Sequence, residues 1–361
     1  LVIVYEGEAA CLGRLRAQGF APDAAGEIAL YLAQAAELER SGTELAAAFA
    51  PQGIEVHLLA VDEAARLPSL LGPVPERAVV WNPTDGFAYY RGSFASSAAR
   101  LLGAAPFGSE PQAQHLCQDK QKCLVLARST GVRAPATLLT EGGEPLTDPG
   151  ELPPHGPFFV KPNTLGGKIG IWRDSRCEDL ESARGLSRRI WERYRDRALI
   201  QPYIAGFDVR VSFMATATAD ESEPRLGVFR VETEGGESGG AFATLRDSLT
   251  LSRLGDANGT RAGFGVRLTD VEEAGPPLLL AEIRGMVGRM ARLMGLRDYF
   301  SFDFRVDEAG VPWFLELEVC PAVTIYDFRH YLARKHGMDL PAALARAVPL
   351  AHARQTRRPP G

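Results

Sequence analysis

Residues 300–324 read FSFDFRVDEAGVPWFLELEVCPAVT, and this stretch predicts a β-hairpin. The alternating run FSFDFRV leads into the turn DEAG, and VPWFLELEV returns as a second strand. Because strand side chains alternate between two faces, Asp303, Glu316 and Glu318 should point the same way from adjacent strands. Crowded carboxylates repel one another unless a cation lies between them, and hard divalent cations prefer oxygen ligands. The hairpin therefore predicts a divalent-metal site; the alternative is a half-buried hairpin with a solvated acidic face.

The composition is that of an ordinary globular protein. The chain has 361 residues, is 45% hydrophobic and has a formal net charge of −5, which favours two or three domains and argues against nucleic acid as the main partner. No apolar run has the length of a membrane span and no signal-peptide pattern precedes the first strand, so we expect no membrane contact and a cytoplasmic location. The cysteines lack the Cys-x-x-Cys spacing and are expected to be reduced thiols.

Strands and helices alternate over the first part of the chain. LVIVYEG, GIEVHLLAV and RAVVWNPTDG read as strands, with a helical stretch from about Gly26 to Phe49 and a helix in SFASSAARLLG. This alternation predicts an open, parallel α/β domain. We place its end near residue 115 and expect two further domains, at 116–198 and 199–361.

The second part of the chain mixes helices with antiparallel strands. AQHLCQDKQKCLVLARSTG is predicted as one helix ended by Gly131, and FFVKPNTLGGKIGIW as strand–loop–strand. FDVRVSFMATATA and PRLGVFRVETE read as an antiparallel pair, and a long helix precedes the hairpin. A final helix is predicted from about Ile325 to His336. The Gly-, Ser- and Thr-rich region from about Gly235 to Gly265 is predicted to be a mobile lid.

A glycine-rich loop follows a lysine at the end of an apolar strand. Lys161 precedes Gly166 and Gly167, and glycine lets the backbone approach an anion closely. Lys120 supplies a second cation. The loop lacks the Walker A pattern, and a glycine-rich turn with a lysine is, taken alone, more often a plain β-turn.

A nucleotide needs more than a phosphate loop. The strand ALIQPYI carries polar groups that could line an adenine slot, and Asp208 could accept hydrogen bonds from ribose hydroxyls. Arg210 lies two residues further on, on the same strand face. Cations, a glycine-rich flap and three carboxylates match what Mg-ATP requires.

The order of these motifs resembles the ATP-grasp superfamily, most closely the D-alanine–D-alanine ligase branch. The resemblance rests on NPTDGFAYYRGSFASSAARLLGAAPFGS, QDKQKCLVLARSTGVRAPATLL, FVKPNTLGGKIGIW, ALIQPYIAGFDV and the hairpin, which together span nearly the whole chain. It implies an α/β protein with the ATP-grasp fold, in which the open parallel domain is followed by two α+β subdomains that clamp ATP.

The resemblance also implies roles for individual residues. Asp303, Glu316 and Glu318 would bind two Mg²⁺ ions, with Mn²⁺ as the alternative metal. The residues expected to contact ATP are Lys120 and Lys161 at the phosphates, Gly166, Gly167 and Lys168 in the flap, Gln201, Pro202, Tyr203 and Ile204 at adenine, Asp208 at ribose, and Phe304. Such enzymes phosphorylate a carboxylate and let an amine attack the acylphosphate. A homodimer through the first domain is a further expectation.

Several positions depart from the family pattern. Glu318 stands where Asn is usual, Gln201 where Glu is usual, and Ser301 where an oxyanion arginine is usual. Asp327 is an acid where a neutral hydroxyl is expected. We therefore expect ATP use to be retained and the substrate to be a carboxylate other than D-alanine. Arg210 and Lys161 are the predicted catalytic residues, with Arg210 supplying the cation missing at Ser301.

Three functions remain open at this point: a carboxylate–amine ligase, a phosphotransferase acting on a hydroxyl, and a nucleotide-binding protein with little turnover. The sequence does not identify the two small-molecule substrates. The residues considered for binding them are Asp85, Tyr89, Tyr90, Arg91, Arg246, Arg253 and Asp327.

Overall fold

The computed structural model describes residues 1–32, 38, 41–84, 86, 88–216, 225–235, 241–247, 260–261 and 264–356. The first unit is an open sheet of four parallel strands in the order β2-β1-β3-β4, which confirms the predicted parallel α/β domain. Its elements are β1 Val2–Tyr5, α1 Glu8–Ala17, α2 Pro22–Leu32, α3 Gly42–Phe49, β2 His57–Ala60, α4 Leu67–Leu71, β3 Val79–Trp81, α5 Ala95–Leu101 and β4 Ala105–Phe107.

The central unit is an antiparallel sheet with helices beside it, in the order β6-β5-β9-β7-β8. Its elements are α6 Pro111–Cys117, α7 Lys120–Ser129, β5 Leu138–Glu141, β6 Glu144–Pro145, β7 Phe158–Pro162, β8 Arg176–Cys177, α8 Leu180–Tyr194 and β9 Ala198–Pro202. Aspartates begin two of the helices: the side chains of Asp119 and Asp179 accept hydrogen bonds from the backbone N–H of Lys122 and Ser182.

The last unit contains the predicted hairpin within a larger antiparallel sheet of order β12-β13-β11-β10-β14-β15. Its elements are β10 Gly206–Met214, β11 Gly227–Gly235, β12 Thr260–Arg261, β13 Phe264–Asp270, α9 Val271–Ala274, α10 Pro277–Met294, β14 Tyr299–Asp307, β15 Pro312–Glu318, α11 Tyr326–Tyr331 and α12 Leu340–Thr356. The hairpin and the antiparallel pairing of β10 with β11 are as predicted.

Three element predictions were wrong. The helix predicted across residues 113–131 is two helices, α6 and α7, because Asp119 starts a new one. The second strand predicted in GGKIGIW does not form; Ile169 and Ile171 donate to the carbonyls of Gly166 and Lys168, so successive turns replace it. The chain also continues past the predicted final helix into α12.

The last helix packs on the first sheet. Leu344 and Val348 of α12 share a buried cluster with Ile3, Trp81 and Phe107. The Trp81 indole donates to Tyr299 Oη over 2.8 Å, and Asp298 accepts from the backbone N–H of Gly108 while pairing with Arg354. The first and last units are therefore joined through a buried, partly polar contact. The domain boundaries near residues 115 and 198 stay predictions.

The fold has a strict requirement for glycine where β10 begins. Gly206 has φ of 144°, and a Cβ there would lie 1.9 Å from the carbonyl oxygen of Val306. We expect Gly206→Ala to destabilise the protein by about 2–4 kcal/mol, measured by urea unfolding. Gly26→Ala, in α2 with nothing within 4 Å of its Cβ, is the control and should be neutral or stabilising. Equal stability of the two variants would contradict the assignment.

Candidate active site

The polar face of the last sheet is built by strand register. Arg210 on β10 lies opposite Asp303 on β14, and Asp303 lies opposite Glu316 on β15. Ser301 is in the same way opposite Glu318. Directly paired residues share a face, so the three predicted metal ligands do point the same way. The other face is apolar and packs on α7 and α10.

Arg210 lies in the middle of the carboxylates. Its Nη1 donates to both oxygens of Asp303, at 3.0 and 2.9 Å, and its Nη2 donates to Glu318. Nε lies 3.2 Å from Asp327 Oδ2. The Ser301 hydroxyl donates to Glu318 over 3.0 Å. The sequence predicted a divalent cation among Asp303, Glu316 and Glu318; in the structure Arg210 contacts two of these acids, Asp303 and Glu318, and also Asp327.

Glu316 faces lysines instead. Lys120 Nζ lies 3.4 Å from Glu316 Oε2, and Lys161 Nζ reaches the neighbouring carbonyl of Leu315 at 3.5 Å. Burial opposes ionisation of Glu316, but the charges of Lys120 and Lys161 outweigh it and hold the pKa of this carboxyl well below its usual range. Burial lowers the pKa of Lys161 to about 8. The end of the hairpin thus brings two buried amines to one ionised carboxylate.

The glycine-rich flap is anchored at its base. Lys120 Nζ donates to the carbonyl of Leu165 over 2.8 Å, so this lysine links the flap to the hairpin. The carboxylate of Asp196, which is buried, accepts from the backbone N–H groups of Thr164 and Leu165 at 2.8 and 3.1 Å. Lys168 follows in a left-handed conformation with φ of 65°. The flap therefore starts from a fixed point and ends at an exposed lysine.

Tyr31 of the first domain explains the two flap glycines. A Cβ on Gly166 would lie 2.3 Å from Tyr31 Oη, and one on Gly167 would lie 2.5 Å from the Tyr31 ring. The ring of α2 thus packs directly on the flap backbone. Only glycine permits this approach. The packing on Tyr31 therefore explains both glycines without any contact between the flap N–H groups and a phosphate.

The predicted adenine segment follows β9 as expected from its sequence. Gln201 is buried and its amide donates to Thr137 Oγ1 over 2.8 Å. The Tyr203 ring stands under Arg176, and the carbonyl of Ile204 accepts from Arg305 Nε. Pro202 ends the strand. The side-chain amide of Gln201 is thus already hydrogen-bonded within the protein.

Arg305 also binds the predicted ribose acid. Its Nη1 lies 2.8 Å from Asp208 Oδ1, and its Nη2 donates to the carbonyl of Ala241. Phe304, expected to contact the nucleotide, instead packs in the apolar core between Phe302 and Phe314. It lies on the face opposite Asp303, because neighbouring strand residues point in opposite directions.

Part of the predicted lid is docked. Residues 241–247 touch the flap through Leu245, whose N–H donates to the carbonyl of Ile171, and Phe242 packs edge-on against Phe159. The prediction of a mobile lid stays a prediction. Positions 236–240, 248–259 and 262–263 lie outside the described residues.

The candidate substrate residues are not brought to one place. Tyr89 and Tyr90 are buried and donate to the carbonyls of Tyr194 and Val4. Arg91 and Arg246 are exposed, whereas Asp327 lies beside Arg210. Asp85 and Arg253 lie outside the described residues.

The donor set was compared with what metal ions require. Carboxylate oxygens suit Mg²⁺ or Mn²⁺, and Asp303 and Glu316 face each other across paired strands. Asp303 and Glu318, however, are held by Arg210. Across the part of the chain that the structure describes, no three His, Cys, Asp or Glu side chains gather at metal-holding spacing. Of the three predicted ligands only Glu316 is not bound by Arg210, so the side chains do not fit the two ions that the resemblance implies.

Comparisons with known proteins agree on the fold. The solved D-alanine–D-alanine ligase of Bacillus anthracis superposes with a TM-score of 0.68 at 14% identity, over 98% of both chains. Its complex with ATP gives a TM-score of 0.66. No family model matches the chain. The structure thus has the ATP-grasp fold.

The proteins that this chain resembles in sequence are named as ligases. A candidate D-alanine–D-lactate ligase of Streptomyces coelicolor is 27% identical over 255 residues, covering 70% of this chain and 66% of that protein. A D-alanine–D-alanine ligase of Bordetella petrii is 24% identical over 243 residues, covering 67% and 66%. The chain thus spans just under two thirds of the length of these relatives.

In the described part of the chain, no helix combines the length and apolar character needed to cross a bilayer.

Sequence reasoning missed three residues of the site: Tyr31, Asp196 and Arg305. Asp196, two residues before β9, gave no signal in the sequence that it would be buried. Tyr31 gave no signal either, since it belongs to a helix in another domain.

The pKa of Lys161 predicts a pH dependence of nucleotide binding. The free protein keeps this amine charged below pH about 8 and loses the charge above it. A phosphate favours the charged form, so the affinity for an ATP analogue should be constant below that pH and fall by at most about tenfold per pH unit above it. Calorimetric titration over a pH series measures the fall. Lys161→Arg should abolish it; the same fall in that variant would assign the titration to another group.

The contact between Tyr31 and the flap predicts a suppressible defect. Gly166→Ala forces the flap or the ring to move, so binding of an ATP analogue should weaken by about 1–3 kcal/mol. Combining it with Tyr31→Ala removes the clash and should restore most of the affinity. Gly13→Ala, with nothing within 4 Å of its Cβ, is the control. A double variant as weak as Gly166→Ala alone would count against the contact.

Proposed function

We propose that the protein is an ATP-dependent carboxylate–amine ligase, which forms an amide or peptide bond through an acylphosphate. The observation that carries the proposal is the junction at Lys120, which bonds to the flap at Leu165 and lies 3.4 Å from Glu316 on the hairpin. One side chain thereby connects the glycine-rich flap with the carboxylate cluster. The fold and the named relatives support the same activity.

Each group has a part in phosphoryl transfer. Lys120, Lys161 and Lys168 offer positive charge to the phosphates of ATP, and the flap N–H groups offer hydrogen bonds. Glu316 would hold a divalent ion, which would neutralise charge on the phosphates. Burial of Lys161 excludes water from its surroundings and strengthens its field. These residues orient the γ-phosphate and stabilise charge as it is transferred.

The reaction has two balanced steps. A substrate carboxylate oxygen attacks the γ-phosphorus, the bond to the β-phosphate oxygen breaks, and ADP leaves. The amine then attacks the acyl carbon, phosphate departs with the electron pair of the C–O bond, and the amine loses a proton. Arg210, with three carboxylate neighbours, supplies a cation at the position predicted for oxyanion stabilisation.

The charges around Arg210 narrow the choice of substrates. Glu318 and Asp327 add two acids around Arg210, and Ser301 carries no charge, which supports a carboxylate or amine other than D-alanine. One relative is named for a D-lactate acceptor, so a hydroxyl acceptor is the second candidate for the ligation step. A phosphotransferase would instead transfer phosphate directly to a hydroxyl and release no inorganic phosphate.

A ligation screen tests the proposal. The protein is incubated with Mg-ATP and pairs drawn from amino acids, hydroxy acids and small carboxylic acids, and products are read by mass. We expect phosphate release to need both a carboxylate and an acceptor, and Glu316→Gln to lower it by a hundredfold or more, on the order of the loss of one preorganised group. Glu308→Gln, an exposed position in the hairpin turn, is the matched control. Phosphate release without an acceptor, or a phosphorylated product, would reject the ligase.

A further inference from the structure

The strongest feature that the proposed function leaves unexplained is the position of Arg210. Its guanidinium carries one charge but is in contact with Asp303, Glu318 and Asp327. Its side chain is 13% exposed, and those of the three acids are 25, 22 and 12% exposed. A largely buried cation amid three largely buried acids belongs to the site itself, unlike a surface ion pair.

The contacts leave little room for a second ion between Asp303 and Glu318. Both oxygens of Asp303 accept from one Nη atom at 3.0 and 2.9 Å, and Glu318 accepts from the other. Mg²⁺ needs such oxygens at about 2.0–2.1 Å in near-octahedral geometry. An ion at this place would have to displace a guanidinium whose planar fork matches carboxylates.

Two buried polar atoms near the carboxylates, Arg210 Nε and Ser212 Oγ, have no hydrogen-bond partner among the described residues. Ser212 is the next residue along the polar face of β10. These atoms offer a donor and a hydroxyl at the edge of the cluster, where a ligand oxygen could bind. Glu316, by contrast, pairs with Lys120.

We infer that Arg210 is a built-in substitute for one of the two divalent ions, so that nucleotide binds here with a single metal ion, held beside Glu316. This inference rests on the proposed function, because it concerns the same nucleotide site. Unlike a metal ion, the guanidinium is covalently attached to β10, cannot be removed by a chelator and stays charged throughout the physiological pH range.

The experiment counts metal ions. Protein saturated with the non-hydrolysable analogue β,γ-imido-ATP is titrated with Mn²⁺, and free Mn²⁺ is followed by electron paramagnetic resonance. We expect one bound Mn²⁺ per chain for the wild type and two for Arg210→Met, in which Asp303 and Glu318 are released as ligands. Arg267→Met is the matched control: it removes an arginine of the same sheet that pairs with Glu232 away from the carboxylate cluster, and it should leave the count at one.

The outcomes separate the two proposals. Two ions on the wild type, or one on Arg210→Met, would overturn the role of Arg210 while leaving nucleotide binding and the ligase in place. A protein that binds no nucleotide would overturn both. If three unpaired acids prevent Arg210→Met from folding, Arg210→Met with Asp327→Asn removes one of them, and this double variant should likewise bind two ions.

Discussion

The candidate site depends on charge balance across three antiparallel strands. Register alone puts Arg210 opposite Asp303 and Asp303 opposite Glu316. Four carboxylates on one half-buried face would be strongly unfavourable without compensation. Arg210 compensates three of them from within the sheet, and Lys120 reaches Glu316 from a neighbouring helix. Removal of either cation would leave buried charge unpaired, which costs more than an exposed pair ever contributes.

The same balance links parts of the chain that are distant in sequence. Lys120 touches both the hairpin and the flap, Asp196 fixes the start of the flap, and Tyr31 packs on its glycines. A change in the first domain can therefore reach the phosphate loop through a packed contact. Arg305 makes a second link, from the predicted ribose acid Asp208 to residue Ala241. These contacts make the cleft a joint product of all three units.

The fold and the named relatives support the proposal of a ligase. The acidic residues around Arg210 are a separate feature, which the fold does not explain. A fold shared at 14% identity does not specify a substrate. The substrate must be sought in side chains such as Glu318 and Asp327, which add negative charge around Arg210. A more acidic face holds its internal cation more firmly and leaves fewer free oxygens for metal. Under the two proposals, substrate choice and metal count would both follow from the charges around Arg210.

The sequence alone determined the parallel first sheet, the hairpin and the shared face of Asp303, Glu316 and Glu318, because period-two alternation and short connections are local properties. It also indicated Lys161 through its place beside a glycine-rich turn, and Lys120 as a second cation on a helix. It could not show that Arg210 lies among the acids, that Tyr31 explains Gly166 and Gly167, or that Phe304 belongs to the core. Each of these depends on which strands pair and which helix packs where. Such pairings join residues far apart in the chain, so only the tertiary structure decided them.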